Sequence, residues 1–175
     1  MLTKVNNINV LKVFFENPSG EFYLRQLAKL AGLSPSGTSK IIKKLEKTGF
    51  ILTKREGKNL KIKVVRDEKF IQEKKGYNLL ALRESGLVDY LRKIYEEPEA
   101  IVVFGSYSKG EDISNSDIDI AIITKKTEKI DFEKFEKYLK RKINIYEMDL
   151  KKSKKEFINT LVNGVILHGY LKVLR

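Results

Sequence analysis

The chain has 175 residues, a hydrophobic fraction of 42% and a formal net charge of +12. That length allows one large or two small domains, and no apolar run approaches the roughly 20 residues of a membrane span. The sequence opens without a charged and then apolar leader, so we expect a soluble cytoplasmic protein with no membrane partner. Because there is no cysteine and only one histidine, disulfides and thiolate or multi-histidine metal sites are excluded, which leaves hard cations bound by oxygen.

The positive charge is concentrated in the first third of the chain. Residues 1–66 hold 14 Lys and Arg residues against 4 Asp and Glu residues, a net charge of +10, whereas residues 67–175 have a net charge of +2. A basic balance confined to one region favours contact with nucleic acid. A lysine-rich surface without a specific partner is the alternative.

The N-terminal third predicts three helices. An apolar stripe from Val5 to Phe15 indicates the first helix. A short strand and a second helix follow, and Gly32 is placed to end that helix in a left-handed conformation. Ser34 can cap a third helix with Pro35 at its first position, and Gly49 ends it.

The second and third helices, joined by the turn at 31–34, form a helix-turn-helix arrangement, and residues 50–66 predict a hairpin that serves as a wing. Hydroxyl groups near the start of the third helix can reach base edges, while its lysines suit phosphates. The residues predicted to contact double-stranded DNA are Ser36, Ser39, Lys40, Lys43, Lys44 and Lys47 on the helix, and Lys54, Arg55, Lys58 and Lys61 on the hairpin.

Residues 7–66 resemble the winged helix-turn-helix domains of archaeal and bacterial transcription regulators. The phrase at 38–51, Thr-Ser-Lys-Ile-Ile-Lys-Lys-Leu-Glu-Lys-Thr-Gly-Phe-Ile, is typical of them. The resemblance implies a DNA-binding domain with a role in transcription regulation. Winged helices also serve as protein-interaction modules, and that alternative stays open.

Apolar residues between Phe70 and Tyr95 predict one or two amphipathic helices, interrupted near Gly76 or Gly86. We interpret this segment as a packed helical connector. A homodimer interface along the segment is an alternative that the sequence leaves open. The predicted division of the chain is a winged helix-turn-helix domain at 1–66, a connector at 67–98 and a second domain at 99–175.

The most informative stretch is 102–122. An apolar run ends at Gly105 and Ser106, ten residues follow, and Asp117 and Asp119 then lie two apart inside a second apolar run. Carboxylates at i and i+2 of a strand project from the same face. Inside an apolar strand they repel each other and cost desolvation free energy unless a cation joins them. A Gly-Ser turn that opens a helix can hold phosphates through backbone N–H groups.

Gly-Ser, ten residues and Ser-Asp-Ile-Asp resemble the signature of minimal nucleotidyltransferases of the polymerase-β-like superfamily, over residues 99–169. The resemblance implies a small mixed-sheet domain, and so an α+β protein that carries a winged helix-turn-helix domain as well. It also implies transfer of a nucleoside monophosphate from a triphosphate, with ATP as the first candidate, to a hydroxyl group with the help of Mg²⁺. The implied site residues are Asp117 and Asp119 as catalytic metal ligands, and Gly105, Ser106, Lys109 and Ser116 as nucleotide contacts.

The resemblance also implies a third acidic residue, on a strand that corresponds to residues 142–149. The position that matches best is Asn144, whose amide has no charge and cannot accept a proton. Strand alternation places Asn144 and Tyr146 on one face and Glu147 on the other, so Glu147 replaces it only through a bulge or an early strand end. Residues 157–170 predict a last helix that ends at Gly169.

Two functions follow from these observations. In one, the protein is an enzyme that binds DNA through residues 1–66 and transfers a nucleotide to an acceptor. We expect a macromolecular acceptor, such as a protein or toxin partner, because no separate acceptor-binding domain is recognisable. In the other, the protein is a transcriptional regulator whose second domain is a catalytically impaired nucleotide sensor or a protein-interaction module.

Overall fold

A computed structural model describes residues 5–57 and 59–172. Contacts divide the chain into two units, Met1–Glu73 and Lys74–Arg175, with the boundary inside a helix. No helix in the described part of the chain is long and apolar enough to cross a membrane. The mixture of helices and sheets agrees with the predicted α+β class.

The first unit is built from three helices and a small sheet, followed by the start of a fourth helix. The core contains Phe14 and Phe15, and Phe22 lies edge-on against Phe14 with ring centroids 5.3 Å apart. The elements in chain order are α1 (Val5–Glu16), β1 (Glu21–Tyr23), α2 (Leu24–Leu30), α3 (Pro35–Lys47), β2 (Ile51–Glu56), β3 (Asn59–Val64) and α4 (Glu68–Glu84).

Helix α3 begins as the sequence predicts. The Ser34 side chain accepts a hydrogen bond from the backbone N–H of Gly37 at 3.1 Å, and Pro35 occupies the first turn. This cap satisfies one of the N–H groups that a helix start leaves without a partner. Ile42 and Leu45 are buried beneath the helix, so the opposite face is directed to solvent.

The wing is a three-stranded antiparallel sheet in the order β1-β3-β2. Strand β3 alternates between its two faces: Ile62 and Val64 are buried, whereas Lys63 is exposed. Phe50 and Ile51, which precede and begin β2, are buried and fix the hairpin to the helices.

The second unit contains the remainder of α4 and the elements after it. Of the two alternative positions for the interruption of the connector, the structure has it at Gly86, with a φ of 74° between α4 and α5, whereas Gly76 lies inside α4. The later elements are α5 (Leu87–Ile94), β4 (Ala100–Phe104), α6 (Gly105–Lys109), β5 (Ile118–Ile123), α7 (Glu133–Leu139), β6 (Ile143–Met148), α8 (Lys155–Val162) and β7 (Val165–Gly169).

The second sheet has the order β6-β5-β4-β7, with β5 and β6 parallel and the other pairs antiparallel. Strands β4 and β5 lie in its middle, and apolar side chains cover both of their faces. One face carries Ile101, Val103 and Ile120 in a cluster with α5 and α7, and the other carries Val102 and Phe104 in a cluster with α8. Burial on both faces explains why β4 and the greater part of β5 read as continuous apolar runs.

The predicted last helix over 157–170 is wrong in its second half. Helix α8 ends at Val162, and Val165–Gly169 forms an edge strand that pairs with β4. The physical reason is that β4 has an open edge on that side, whose N–H and C=O groups need partners. The β-branched residues Val165 and Ile166 suit a strand, and His168 lies on it, 3.2 Å from Glu97.

The C-terminal edge offers a test of this strand. Gly169 has a φ of 69°, and a Cβ atom at this position would lie 2.1 Å from the carbonyl oxygen of Glu99. We expect Gly169→Ala to lower the stability of the second unit by about 2 kcal/mol or more. Gly76→Ala is the matched control. Its added Cβ atom lies in open space on helix α4, so the variant should stabilise the second unit by about 0.5–1 kcal/mol. Thermal unfolding of both variants checks this, and equal transition temperatures would contradict the strand.

Candidate functional site

Two carboxylates stand together at the start of β5. Asp119 lies in the strand and Asp117 directly before it, and both contact the same side-chain amide. Asn144 Nδ2 donates to Asp117 Oδ2 at 3.2 Å and to Asp119 Oδ1 at 3.1 Å. The parallel register places Asn144 beside Asp119. The structure therefore brings these three predicted residues to one face of the sheet.

The Gly-Ser turn lies against the same pair. Gly105 has a φ of 74°, and a Cβ atom there would lie 2.9 Å from Asp119 Oδ2. Any side chain at this position would enter the space in front of the carboxylate, so glycine suits both the backbone conformation and the close approach. Phe104, the residue before it, pairs with Asp119 in the sheet register.

The remaining predicted nucleotide contacts occupy the short helix α6 and the loop after it. Ser106 is half-buried in the first turn of α6, and Lys109 is exposed in its last turn. The Ser116 hydroxyl accepts a hydrogen bond from the backbone N–H of Ile113 at 3.0 Å. Ser116 therefore shapes the loop that leads into Asp117, in addition to its predicted role at the nucleotide.

Glu147 does not supply the third acid. Its side chain lies on the other face of the sheet, where Oε1 accepts a hydrogen bond from the Tyr95 hydroxyl at 2.5 Å and one from the Glu128 backbone N–H at 2.7 Å. Burial, together with this carboxylate, raises the pKa of Tyr95. The alternation of β6 is regular, so Asn144 alone occupies the third position.

The residues at this face suit a hard cation in number and type. Asp117 and Asp119 offer carboxylate oxygens, and rotation of the Asn144 amide can present its oxygen. Within residues 5–57 and 59–172, no group of three or more His, Cys, Asp or Glu side chains lies close enough to hold a metal ion. Mg²⁺ is commonly bound by one or two carboxylates plus substrate phosphates, so the pair fits Mg²⁺ delivered with a nucleotide.

Tyr146 is a member of the site that the motif did not indicate. Its hydroxyl donates to Asp119 Oδ1 at 3.4 Å. Burial, with the Asp119 carboxylate adding to it, raises the pKa of Tyr146. The signal in the sequence is its position, since a residue two after Asn144 on a strand shares its face.

A buried charge network holds the loop between the Gly-Ser turn and Asp117. Asp112 is 1% exposed; it forms an ion pair with Lys74 and accepts from Arg141 Nη2 at 3.4 Å and from Asn78 Nδ2 at 2.7 Å. Asn78 Nδ2 also donates to the carbonyl oxygen of Tyr107, on α6, at 2.9 Å. The network thus fixes both α6 and the following loop, and sequence reasoning missed it.

The exposed face of α3 is the candidate nucleic-acid interface. Most of its predicted contact residues are exposed, and Ser39 is half-buried. The exposed residues are Ser36, Lys40, Lys43, Lys44 and Lys47. Buried Thr38, whose hydroxyl donates to the Ser34 carbonyl oxygen at 3.0 Å, lies on the inner side of the helix.

The wing carries two exposed predicted contacts and one that is already paired. Lys54 and Arg55 are exposed, and Lys58 lies outside the described residues. Lys61 Nζ lies 2.5 Å from Glu21 and 3.7 Å from Glu56, and the hydrogen bond to Glu21 raises the pKa of Lys61. Two carboxylates therefore offset the charge of Lys61, so it offers less attraction to a phosphate than the α3 lysines.

Two family models each match part of the chain. Residues 87–170 match the family model described as Polymerase beta, Nucleotidyltransferase. Residues 24–51 match the model described as Winged helix-turn-helix DNA-binding. The first match contains the Gly-Ser turn, the two aspartates and Asn144, and the second contains α2, α3 and the start of the wing.

Solved structures similar to this chain include proteins described as transcriptional regulators. A fragment of a possible transcriptional regulatory protein from Mycobacterium bovis is 18% identical, with a TM-score of 0.39, and the match covers 46% of this chain and 82% of that one. NolR from Sinorhizobium fredii is 17% identical (TM-score 0.36; 54% and 76% covered). The PcaV transcriptional regulator from Streptomyces coelicolor is 15% identical (TM-score 0.38; 54% and 75% covered). TM-scores this low do not establish a shared overall fold, and no curated protein sequence matches the chain significantly.

The buried network generates a stability prediction. Asp112→Ala leaves the charges of Lys74 and Arg141 buried without their carboxylate, and we expect a loss of about 3–5 kcal/mol in the free energy of unfolding. Glu111→Ala, at the exposed neighbouring position of the same loop, should change it by less than about 0.5 kcal/mol. Urea denaturation measures both values. A loss below about 1 kcal/mol for Asp112→Ala would contradict the role given to the network.

Proposed function

We propose that this protein binds DNA and a magnesium-bound nucleoside triphosphate. The first unit, a winged helix-turn-helix, would bind the DNA, and the second unit, of the polymerase-β nucleotidyltransferase type, would bind the nucleotide. The second unit would transfer the nucleoside monophosphate, from ATP as the first candidate, to a macromolecular acceptor such as a partner protein. A hydroxyl oxygen of the acceptor would bond to the α-phosphorus as the bond to the β-phosphate breaks, releasing pyrophosphate and the hydroxyl proton. The observation that carries this proposal is the contact of Asp117 and Asp119 with one amide beside the Gly105 turn.

Each residue of the site has a role that its geometry supports. Asp117 and Asp119 would hold the cation, and the absence of a side chain at Gly105 lets the turn approach Asp119 closely. The backbone N–H groups at Gly105 and Ser106 would bind the outer phosphates, with Lys109 supplying positive charge nearby. Mg²⁺, when bound, neutralises the charge that develops on the phosphates.

A second function is favoured by Asn144. An amide cannot accept the proton of an attacking hydroxyl group, and the nearest acid on the same strand, Glu147, bonds to Tyr95 on the other face. On this alternative the second unit binds the nucleotide as a sensor, and occupancy alters the affinity of the first unit for DNA. The binding residues are the same for both functions, so only the chemical step separates them.

The carboxylates are tested by Asp117→Asn and Asp119→Asn, which remove charge and keep the side-chain shape. With ATP labelled at the α-phosphorus and candidate acceptor proteins, we expect label transfer to fall by more than about 100-fold, because several kcal/mol of charge stabilisation is lost. Calorimetry should show weaker binding of magnesium-ATP in both variants. Asp89→Asn, on the exposed surface of α5, is the matched control and should change neither quantity.

The same assay separates the two functions. Label transfer by the parent protein that is lost in both aspartate variants supports the transferase. Nucleotide binding without transfer to any acceptor supports the sensor, and Asn144→Asp should then raise turnover if the missing carboxylate is the cause. Equal nucleotide affinity in the parent and both aspartate variants would contradict the proposed site.

The first unit is expected to bind double-stranded DNA through α3 and the wing, with modest sequence preference. Its outer α3 surface offers four exposed lysines and a serine, which suit phosphates better than base edges. The described part of α3 carries no arginine to bind guanine in a bidentate way.

Substitution of the α3 lysines tests this interface. We expect Lys43→Ala and Lys44→Ala each to weaken binding to all DNA sequences and to reduce the slope of log K against log salt concentration by about 0.9. Lys61→Ala should have a smaller effect, because Glu21 and Glu56 already offset its charge. Lys93→Ala, exposed on α5, is the control. Salt slopes that are unchanged for both α3 variants in a fluorescence anisotropy titration would contradict the assignment of the DNA interface to α3.

A further inference from the structure

An exposed aromatic ring adjoins the carboxylate pair. Tyr146 is 41% exposed although it lies on a strand of the second sheet. Its hydroxyl donates to Asp119 Oδ1 at 3.4 Å, which directs the ring along the same face as the two carboxylates. A large aromatic side chain with this much open surface therefore lies beside the two carboxylates.

Two other aromatic rings pack against the Tyr146 ring. Its ring centroid lies 5.4 Å from that of Phe104 and 6.0 Å from that of Phe157. Phe104 and Phe157 contact each other edge-on at 5.5 Å, and Phe104 is only 7% exposed. The three rings come from β4, β6 and α8, so packing restricts the orientation of the Tyr146 ring while part of it stays open to solvent.

The position of this ring relative to the turn is fixed by the chain. Phe104 directly precedes Gly105, so the residue that supports Tyr146 also begins the proposed phosphate turn. Asp119 pairs with Phe104 in one register and with Asn144 in the other. Phosphates held at Gly105 and Asp119 would therefore have the open part of the Tyr146 ring beside them on the same face.

We propose that Tyr146 is the stacking platform for the base of the nucleoside triphosphate whose phosphates bind at Asp117 and Asp119. This inference rests on the proposed function and names a subsite within it. A ring whose orientation is already restricted loses little conformational entropy on binding. Stacking on an aromatic ring uses the face that every base has, so this subsite accepts adenine and guanine alike.

The test compares ligands that share the phosphates and differ in the base. Affinities for magnesium-ATP, magnesium-GTP and magnesium-tripolyphosphate are measured by calorimetry on the full chain. We expect Tyr146→Leu, which keeps apolar cover over Phe104 and Phe157, to weaken both nucleotides by about ten-fold or more and to leave tripolyphosphate unchanged. Tyr146→Phe keeps the ring without the hydroxyl and should stay within about two-fold of the parent protein.

A matched control and a folding check accompany these variants. Tyr138→Leu replaces a tyrosine of α7 that is 56% exposed and should alter none of the three affinities. Circular dichroism and thermal unfolding establish that each variant is folded at the temperature of the titration.

Each further outcome overturns the inference in a distinguishable way. Equal losses for nucleotides and tripolyphosphate in Tyr146→Leu would mean that Tyr146 acts on Asp119 and not on a base. Unchanged nucleotide affinity would exclude stacking while leaving the proposed function intact. Failure of the parent protein to bind ATP and tripolyphosphate would overturn both proposals.

Discussion

The second unit depends on how two like charges are held side by side at the start of β5. Asp117 and Asp119 repel each other, and the neutral Asn144 amide bridges them with hydrogen bonds of 3.2 and 3.1 Å. An amide donor offsets part of that repulsion without adding a charge, whereas a third carboxylate would increase it. The same interaction holds both carboxylates at one point, with Asp119 beside the Gly105 turn, which connects the stability of the face with its proposed use.

A buried charge network fixes the loop that leads into this face. Asp112 lies between the Gly-Ser turn and Asp117, and it is anchored by Lys74 and Arg141 from distant parts of the chain. Buried ion pairs contribute little net stability compared with apolar residues, but they are costly to break. Their effect here is to give the loop one position, because any other arrangement would leave buried charges without partners. The proposed binding of a cation and phosphates together would benefit from such a fixed loop.

Local rules predicted a large part of this fold, and tertiary requirements decided the rest. The Ser34 cap of α3 and the common face of Asp119 and Asn144 follow from spacing and alternation within a few residues. The prediction of one helix over 157–170 was wrong because the helical period of these residues is a local signal. The open edge of β4, some 60 residues earlier in sequence, instead pairs with Val165–Gly169 as a strand. Asp112 had no local signal, since an acidic residue in a polar loop is ordinarily exposed and its partner Lys74 is 38 residues away.

Asn144 also bears on how the two units could act together. With two carboxylates and an amide, the face carries less negative charge than three acids would, so its attraction for a free cation is weaker and a nucleotide must supply further oxygen ligands. On the sensor alternative, such a site would fill when the magnesium nucleotide is abundant and empty when it is scarce. A transferase with the same residues would have to obtain its proton acceptor from the acceptor molecule or from water. The chemical step, and not nucleotide binding, is therefore what distinguishes a DNA-bound enzyme from a DNA-bound sensor in this chain.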